Sequence, residues 1–342
     1  MTVNTTDWPY VYGKPSGQGL IKQHPKDFIV EEIASFEPSG TGEHQFIWLE
    51  KEGQNTEFVA KQLARFANVK PRDIGYAGLK DRHALTRQWF SVWLPGALNQ
   101  PDWTQCNIPG VRFVQITRHA RKLKTGVLSG NRFQLTIRDW QGDKAETEVR
   151  LLAIKQHGMA NYFGEQRFGH EGQNISKALL MFNGAKTSKT DRSLYLSAVR
   201  AFLFNQVLAR RVLEQNWNQP LPGDCLGFAD SHSWFRIEQP DATIQQRVAN
   251  HEVHPTGLLF GKSSHVYSGV APELEADVLA HYPELTQGLI DCGLEADRRV
   301  LRVSLADLTW QIEPNVLHLC FSLPPGSYAT ALLRELIATP RA

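Results

Sequence analysis

The chain has 342 residues, 42% of them hydrophobic and 21% charged, a composition that excludes a disordered polymer and predicts two domains, or one domain with a large insertion. Its 37 Lys and Arg against 35 Asp and Glu leave a formal charge of +2, too little to mark a nucleic-acid binder by the total alone. Cys106, Cys225, Cys292 and Cys320 are scattered without CxxC or Cys/His spacing, which argues against structural zinc and for a reducing compartment. With no basic-then-apolar leader and no apolar run near the roughly 20 residues of a spanning helix, no membrane is expected, and the cytoplasm is the expected location.

A turn at HPKD leads into a strand over residues 27–33, with Phe28 and Val30 on one face and Ile29 on the other. Lys22 lies just before that turn. Residues 43–51 alternate Phe46 and Trp48 against Ile47 and Leu49, a strand buried on both faces. Asn55 or Thr56 caps a helix running to about residue 68, with Phe58, Val59, Leu63 and Phe66 at helical spacing. Residues 88–94, 111–119 and 131–140 read as strands, and the basic connector 120–130 as an exposed loop. A helix follows over 145–157, its apolar face made of Val149, Leu152 and Ile154. Strands and helices mix without a βαβ rhythm, which favours an α+β fold over a doubly wound one.

From residue 158 the character changes. NYFGEQRFGHEGQN is a loop signature, and residues 191–215 carry a long helical stripe of Leu194, Ala198, Ala201, Phe202, Asn205, Leu208, Val212 and Leu213. HPTGLLFG (254–261) reads as a glycine-bearing loop and 272–281 as an acidic helix. Strands return over 298–305, 308–313 and 316–323, before a closing helix over 326–338 capped by Ser327. The return to strands suggests one α+β domain interrupted by a mainly helical insertion over about 155–303. Its rival is a pair of sequential domains split near 155. Local charge adds a second pattern. Residues 111–138 hold Arg112, Arg118, Arg121, Lys122, Lys124, Arg132 and Arg138 and no acid, while residues 270–297 hold acids and no Lys or Arg. One face suits phosphates and another repels them.

The stretch 74–94, IGYAGLKDRHALTRQWFSVWL, concentrates the chemistry. Gly75 and Gly78 allow close backbone approach or positive φ. Asp81 stands between Lys80 and Arg82, with His83 and Arg87 behind; one carboxylate among cations suits carboxylate chemistry on a polyanion. GLKDRHALTRQWFSV resembles the catalytic motif of the tRNA pseudouridine synthase D (TruD) family, with Asp81 at the family's nucleophile. NYFGEQRFG, GNRF (130–133), HPTGLLFG and GSYATALLREL match further family segments in the same order. The resemblance implies a pseudouridine synthase-type catalytic domain with a mixed or antiparallel sheet, residues 1–154 and 304–342, interrupted by a largely helical α+β insertion, 155–303. It also implies isomerisation of the uridine at position 13 of tRNA, flipped from the D-arm region, by a monomer that uses no cofactor.

The resemblance places Phe28, Asn131 and Tyr328 at substrate-contacting positions and Phe133 beside the target base. The family commonly has Phe where this chain has Tyr328. Asn131 offers a donor and an acceptor to uracil's polar edge. Extended backbone would turn Lys80 and Arg82 away from Asp81 and toward phosphate, and Lys22 is the candidate cation for the carboxylate. Arg167 could contact phosphate or order its own loop, and His254 orders a loop or serves as a base. The absence of HExxH, GxGxxG, GxxxxGK[ST] and GxSxG disfavours zinc, dinucleotide, P-loop and serine-hydrolase chemistry. Two other classes stay open: an RNA-holding module without chemistry, and a hydrolase needing a second acid within about 5–10 Å of Asp81.

Overall fold

The computed structural model describes residues 4–96, 100–228, 231, 233–263 and 268–338. The chain forms two compact units. One takes Ser16–Thr147 with Asp307–Gly326 and the chain from Ile337; the other takes Glu148–Ala306 with Ser327–Leu336 and the residues before Ser16.

The first unit is built on a mixed sheet. Its strands in chain order begin with β1 (Gln18–Leu20), β2 (Phe28–Ile33), β3 (His44–Glu52), β4 (Ile74–Tyr76), β5 (Leu85–Trp93), β6 (Val111–His119) and β7 (Gly130–Gln141), and Thr309–Glu313 and Val316–Leu323 complete it. The order runs Thr309–Glu313, Val316–Leu323, β7, β2, β5, β3, β6, with β1 added on β7 and β4 on β5. Among these strands only β2 and β5 run parallel and the other strand pairs are antiparallel; an isolated bridge from Gln18 to Ala338 is also parallel. Helix α1 (Thr56–Phe66) covers one face, where Val59 and Leu63 meet Ile47, Leu49 and Phe90. Phe46 packs on the opposite face with Trp89 and Leu123. The alternation within β3 thus feeds two cores, as a central strand requires. The apolar stripe of α1 is Val59, Ala60, Leu63 and Ala64, whereas Phe58 and Phe66 sit at its exposed flanks. Gly75 is required by close approach: a Cβ there would lie 2.2 Å from the Leu123 carbonyl oxygen. Gly78 has no such crowding and no positive φ.

The second unit is organised on the helix Lys189–Leu213, capped by Ser188, whose hydroxyl accepts from the Asp191 amide. Ala198, Ala201, Phe202, Leu208 and Val212 are buried as the stripe requires, while the terminal Leu194 and Leu213 are exposed. An antiparallel sheet packs beside it, ordered Trp234–Arg236, Cys225–Phe228, Val253–Leu259, Asp297–Val300. HPTG is therefore strand and not loop. Gly257 lets that strand approach the helix, because a Cβ would come within 3.0 Å of the Phe204 ring. The expected strand 298–305 divides at buried Leu301: Asp297–Val300 pairs with Val253–Leu259, and Arg302–Val303 with Met159–Ala160.

Three local readings are corrected by packing. In the helix Lys144–His157 the buried apolar positions are Leu151 and Ile154, while Val149 and Leu152 face solvent. The helix is rotated because Arg150 occupies its buried side, donating to the Gly13 carbonyl at 2.6 Å. The last helix spans Ala329–Leu336, and Ser327 spends its hydroxyl on Asn161 Oδ1 at 3.3 Å instead of capping. Of the acids in 270–297, Glu275 is buried against Arg298 and does not belong to the acidic surface.

Candidate active site

Asp81 lies on the loop between β4 and β5. Its Oδ2 accepts from Lys22 Nζ, and its Oδ1 accepts from the His83 amide at 2.9 Å. About a third of the side chain is exposed, 35% against 31% for Lys22. Burial pushes the Asp81 carboxyl up, but the Lys22 hydrogen bond and charge and the His83 amide more than offset it, leaving the group below the ordinary carboxylate range. The carboxylate is therefore ionised at neutral pH and reachable from solvent.

Lys22 sits at φ +57°, in the left-handed region that non-glycine residues avoid. Such strain persists only where the surroundings over-determine it. Those surroundings are the Asp81 carboxylate on one side and the Phe28 ring on the other, 4.3 Å from Nζ to its centroid. The turn after Lys22 is fixed by buried Asp27, which takes two 2.8 Å bonds from Arg138 on β7 and accepts from the His24 amide. The Arg138 hydrogen bonds outweigh burial and hold Asp27 below its usual range. β2 thus begins at a fixed point, with Phe28 opposite Leu135 of β7.

Phe28 and Phe133 meet edge to face at 6.1 Å, and Phe133 stacks on Phe321 at 5.3 Å. Both rings are buried, so the site shares them with the core of the sheet. Asn131, two residues before Phe133, has a buried Oδ1 with no hydrogen-bond partner among the described residues. An orphaned acceptor costs about 1–3 kcal/mol. Lys22, Phe28, Asp81, Arg82, Asn131 and Phe133 all belong to the first unit.

The flanking cations behave differently from the extended-backbone expectation. Lys80 is not turned toward phosphate; its Nζ is buried against Glu32 at 3.1 Å. Arg82 is exposed and donates to the Gly53 carbonyl at 3.1 Å. Thr56 Oγ1 accepts from the Lys80 amide, and Gln88 Nε2 donates to the Gly78 carbonyl. The residue that sequence reasoning missed is Lys51, 1% exposed, whose Nζ reaches the carbonyls of Gln54, Lys80 and Asp81. Backbone acceptors leave no pattern in a sequence. The basic run also divides: Arg112 and Arg138 are paired with Glu50 and Asp27, while Arg121, Lys122, Lys124 and Arg132 are exposed.

Tyr328 belongs to the second unit, where its hydroxyl accepts from Arg167 Nε at 3.2 Å and Nη2 at 2.9 Å. Arg167 also donates to Ser197, so its fork is committed to ordering that region. Phe163 packs against Tyr328 at 6.0 Å. His254 is buried and its Nδ1 accepts from Arg302 Nε at 2.9 Å. Burial and the neighbouring cation push its pKa down to about 3, so it is a neutral structural acceptor. Among the described residues no group of three or more His, Cys, Asp and Glu could hold a metal, and no helix is long and apolar enough to cross a membrane.

Comparison with known proteins defines the class first: the chain is an isomerase of the pseudouridine synthase kind. A family model described as tRNA pseudouridine synthase D (TruD) matches residues 7–186 and 172–336. A tRNA pseudouridine synthase D from Methylococcus capsulatus is 46% identical over 334 residues, covering 97% of this chain and 94% of that protein. One from Nitrosococcus oceani is 45% identical, covering 96% and 93%. A solved structure of a putative tRNA pseudouridine synthase D from Methanosarcina mazei shares the fold, with a TM-score of 0.73 at 21% identity over 98% of this chain and 95% of that one. The chain belongs to the tRNA pseudouridine synthase D (TruD) family.

Proposed function

We propose that this chain converts the uridine at position 13 of tRNA into pseudouridine, with Asp81 as the catalytic carboxylate. The observation that carries the assignment is an ionised, solvent-reachable carboxylate held by a strained lysine on a tethered loop, in a chain of this family. The reaction breaks the glycosidic C–N bond, turns the uracil and rejoins it to the ribose through carbon. A carboxylate serves it by covalent addition, by stabilising positive charge on the ribose, or by removing a ribose proton. A target base must leave its stack to be reached. Beside Asp81 it would meet the edges of Phe28 and Phe133. The unpartnered Asn131 Oδ1 is a ready acceptor for the uracil imide N–H. Lys22 holds Asp81 until the nucleotide arrives, and exposed Arg82 meets a neighbouring phosphate.

The same proposal gives Tyr328 a substrate contact, on the family resemblance alone. It takes residues 1–154 and 304–342 as a discontinuous catalytic domain and 155–303 as an insertion. The pairing of Val316–Leu323 with β7 from Leu323↔Asn131 to Val316↔Arg138 supports the return of the last strands to the first sheet; giving residues 1–15 and 327–336 to the catalytic domain rests on the family resemblance, since they group with Glu148–Ala306. A cytoplasmic monomer acting without cofactor on a uridine from the D-arm region completes the reading. The test is incubation with unmodified tRNA in plain buffer, mapping pseudouridine before and after. Pseudouridine at position 13 is expected; none there, or pseudouridine only elsewhere, overturns the assignment. Light scattering checks the monomer, and Tyr328→Ala tests the Tyr328 contact through a weakened KM.

A further inference from the structure

Lys51 ends the buried run of β3 on the face shared by Ile47 and Leu49. Its side chain is enclosed and its ammonium is removed from water. Three backbone carbonyls receive it: Gln54 at 2.8 Å, Asp81 at 3.0 Å and Lys80 at 3.4 Å. Removing an ammonium from water costs several kcal/mol even after relaxation, and polar acceptors are the compensation for the charged form. Burial pulls its pKa down to about 8, with Asp81 acting upward and Lys80 downward. At neutral pH the cation therefore prevails. A leucine or methionine would fill the same space without that cost, so what the lysine adds is its three donors.

Lys22 and the His83 amide hold the Asp81 carboxylate, and the remaining side-chain tethers of the loop act on the neighbours of Asp81. Gln88 holds the Gly78 carbonyl, Thr56 the Lys80 amide, Glu32 the Lys80 ammonium and Gly53 the Arg82 side chain. Lys51 bonds the main chain of Asp81 itself. We propose that Lys51 is the positioning residue of the reaction: its buried ammonium gathers the Lys80 and Asp81 carbonyls onto the end of β3 and so fixes where the Asp81 carboxylate stands. Lys51 touches no substrate; it acts through Asp81. The inference rests on the reading of Asp81 as the catalytic carboxylate.

The experiment compares wild type, Lys51→Met, Lys51→Gln, Lys51→Ala and Asp81→Asn on an unmodified tRNA transcript, below the lowest melting temperature of the set. Single-turnover rate and tRNA affinity are measured separately. Misplacing a reacting group by about 1 Å costs on the order of 10²-fold, so Lys51→Met and Lys51→Gln should lose rate on that scale while binding tRNA as wild type does. n-Propylammonium should restore rate to Lys51→Ala, and n-propanol, which only fills space, should not. Wild-type rates in folded Lys51→Met or Lys51→Gln, a loss confined to affinity, or equal rescue by the alcohol would overturn the inference. Asp81→Asn separates the two readings. An inactive Asp81→Asn beside a fully active Lys51→Met removes the positioning role alone; an active Asp81→Asn removes the catalytic assignment and this inference with it.

Discussion

Both units hold enclosed pairs of acid and cation, Glu32 with Lys80 in the first among them, and the Lys22–Asp81 pair differs from these in one respect. In the second unit Arg211 packs against Asp224 with side chains 2% and 1% exposed, and Arg211 also donates to the carbonyls of Asn216 and Gln219. Glu275 is similarly enclosed with Arg298 at 2.6 Å and accepts from the Leu258 amide. At Asp224 and Glu275 burial prevails over the arginine and pushes the carboxyls up. At Asp81 burial is overcome by Lys22 and the carboxyl goes down. The enclosed pairs have spent their donors on their own fold. The Lys22–Asp81 pair has one partner on each side and an open edge, so its charge remains available to a substrate.

The sharpest way to break that comparison is to remove the charge at the open pair. Asp81→Asn keeps the shape and loses the carboxylate; turnover should fall by about 10²–10⁴-fold or more, with tRNA affinity and melting temperature kept. Pseudouridine mapping over time gives the rate. Substantial turnover would return Asp81 to the status of a surface residue. Arg298→Met attacks the enclosed pair and should do the opposite. Leaving Glu275 buried without its cation costs about 3–5 kcal/mol, read as a lowered urea midpoint. Replacing both partners, Glu275→Leu with Arg298→Met, should recover most of the loss, since a well-packed apolar pair is often neutral or better. No recovery would mean that the pair does more than neutralise itself.

Lys22→Met tests the open pair more gently. Burial then acts on Asp81 with only the His83 amide and its charge against it, so the acid limb of the pH–rate profile should move up. Stability should hardly respond. A carboxyl lowered in the fold contributes stability above its unfolded pKa of about 3.9 and loses it as pH falls through the lower folded value. With a third of the side chain in solvent, that contribution stays within about 1 kcal/mol. An acid limb that does not move would show that Lys22 does not govern the carboxylate.

What the sequence shows of this molecule follows the range of each interaction. The alternation in β3 and the loop around Asp81 are local patterns and are legible, as is Lys22 in its place before a turn. The direction of Lys80 is not, because its partner Glu32 lies 48 residues earlier and only the β2–β5 pairing brings it close. HPTG resembles a turn because proline and glycine punctuate loops; the glycine is present instead to admit Phe204. Arg150 rotates a helix whose apolar residues suggest another face. Lys51 is hidden most completely, since its acceptors are carbonyls, which every residue has.

The smallest expected effects concern the basic region, and they divide it by the same rule. Arg112 is bound to Glu50, which also takes Arg87, and Glu31 on β2 extends the ladder across four strands. Among the described residues Arg118 and Lys122 donate to neutral carbonyls, those of Gly42 and Arg72, and no carboxylate pairs with them there. Arg121 and Lys124 are exposed on the same connector. A cation that meets a phosphate releases a counterion and steepens the dependence of log affinity on log salt by roughly 0.7–0.9. Neutralising Arg118, Arg121, Lys122 or Lys124 singly should therefore shallow the slope of tRNA binding by up to that amount each. Arg112→Gln should leave it unchanged, because a guanidinium already satisfied by a carboxylate would have to abandon it to bind phosphate. Equal slopes in all five variants would mean that the connector is a solvated loop, and a shallower slope in Arg112→Gln alone would show that the paired cation, not the unpaired ones, meets the RNA.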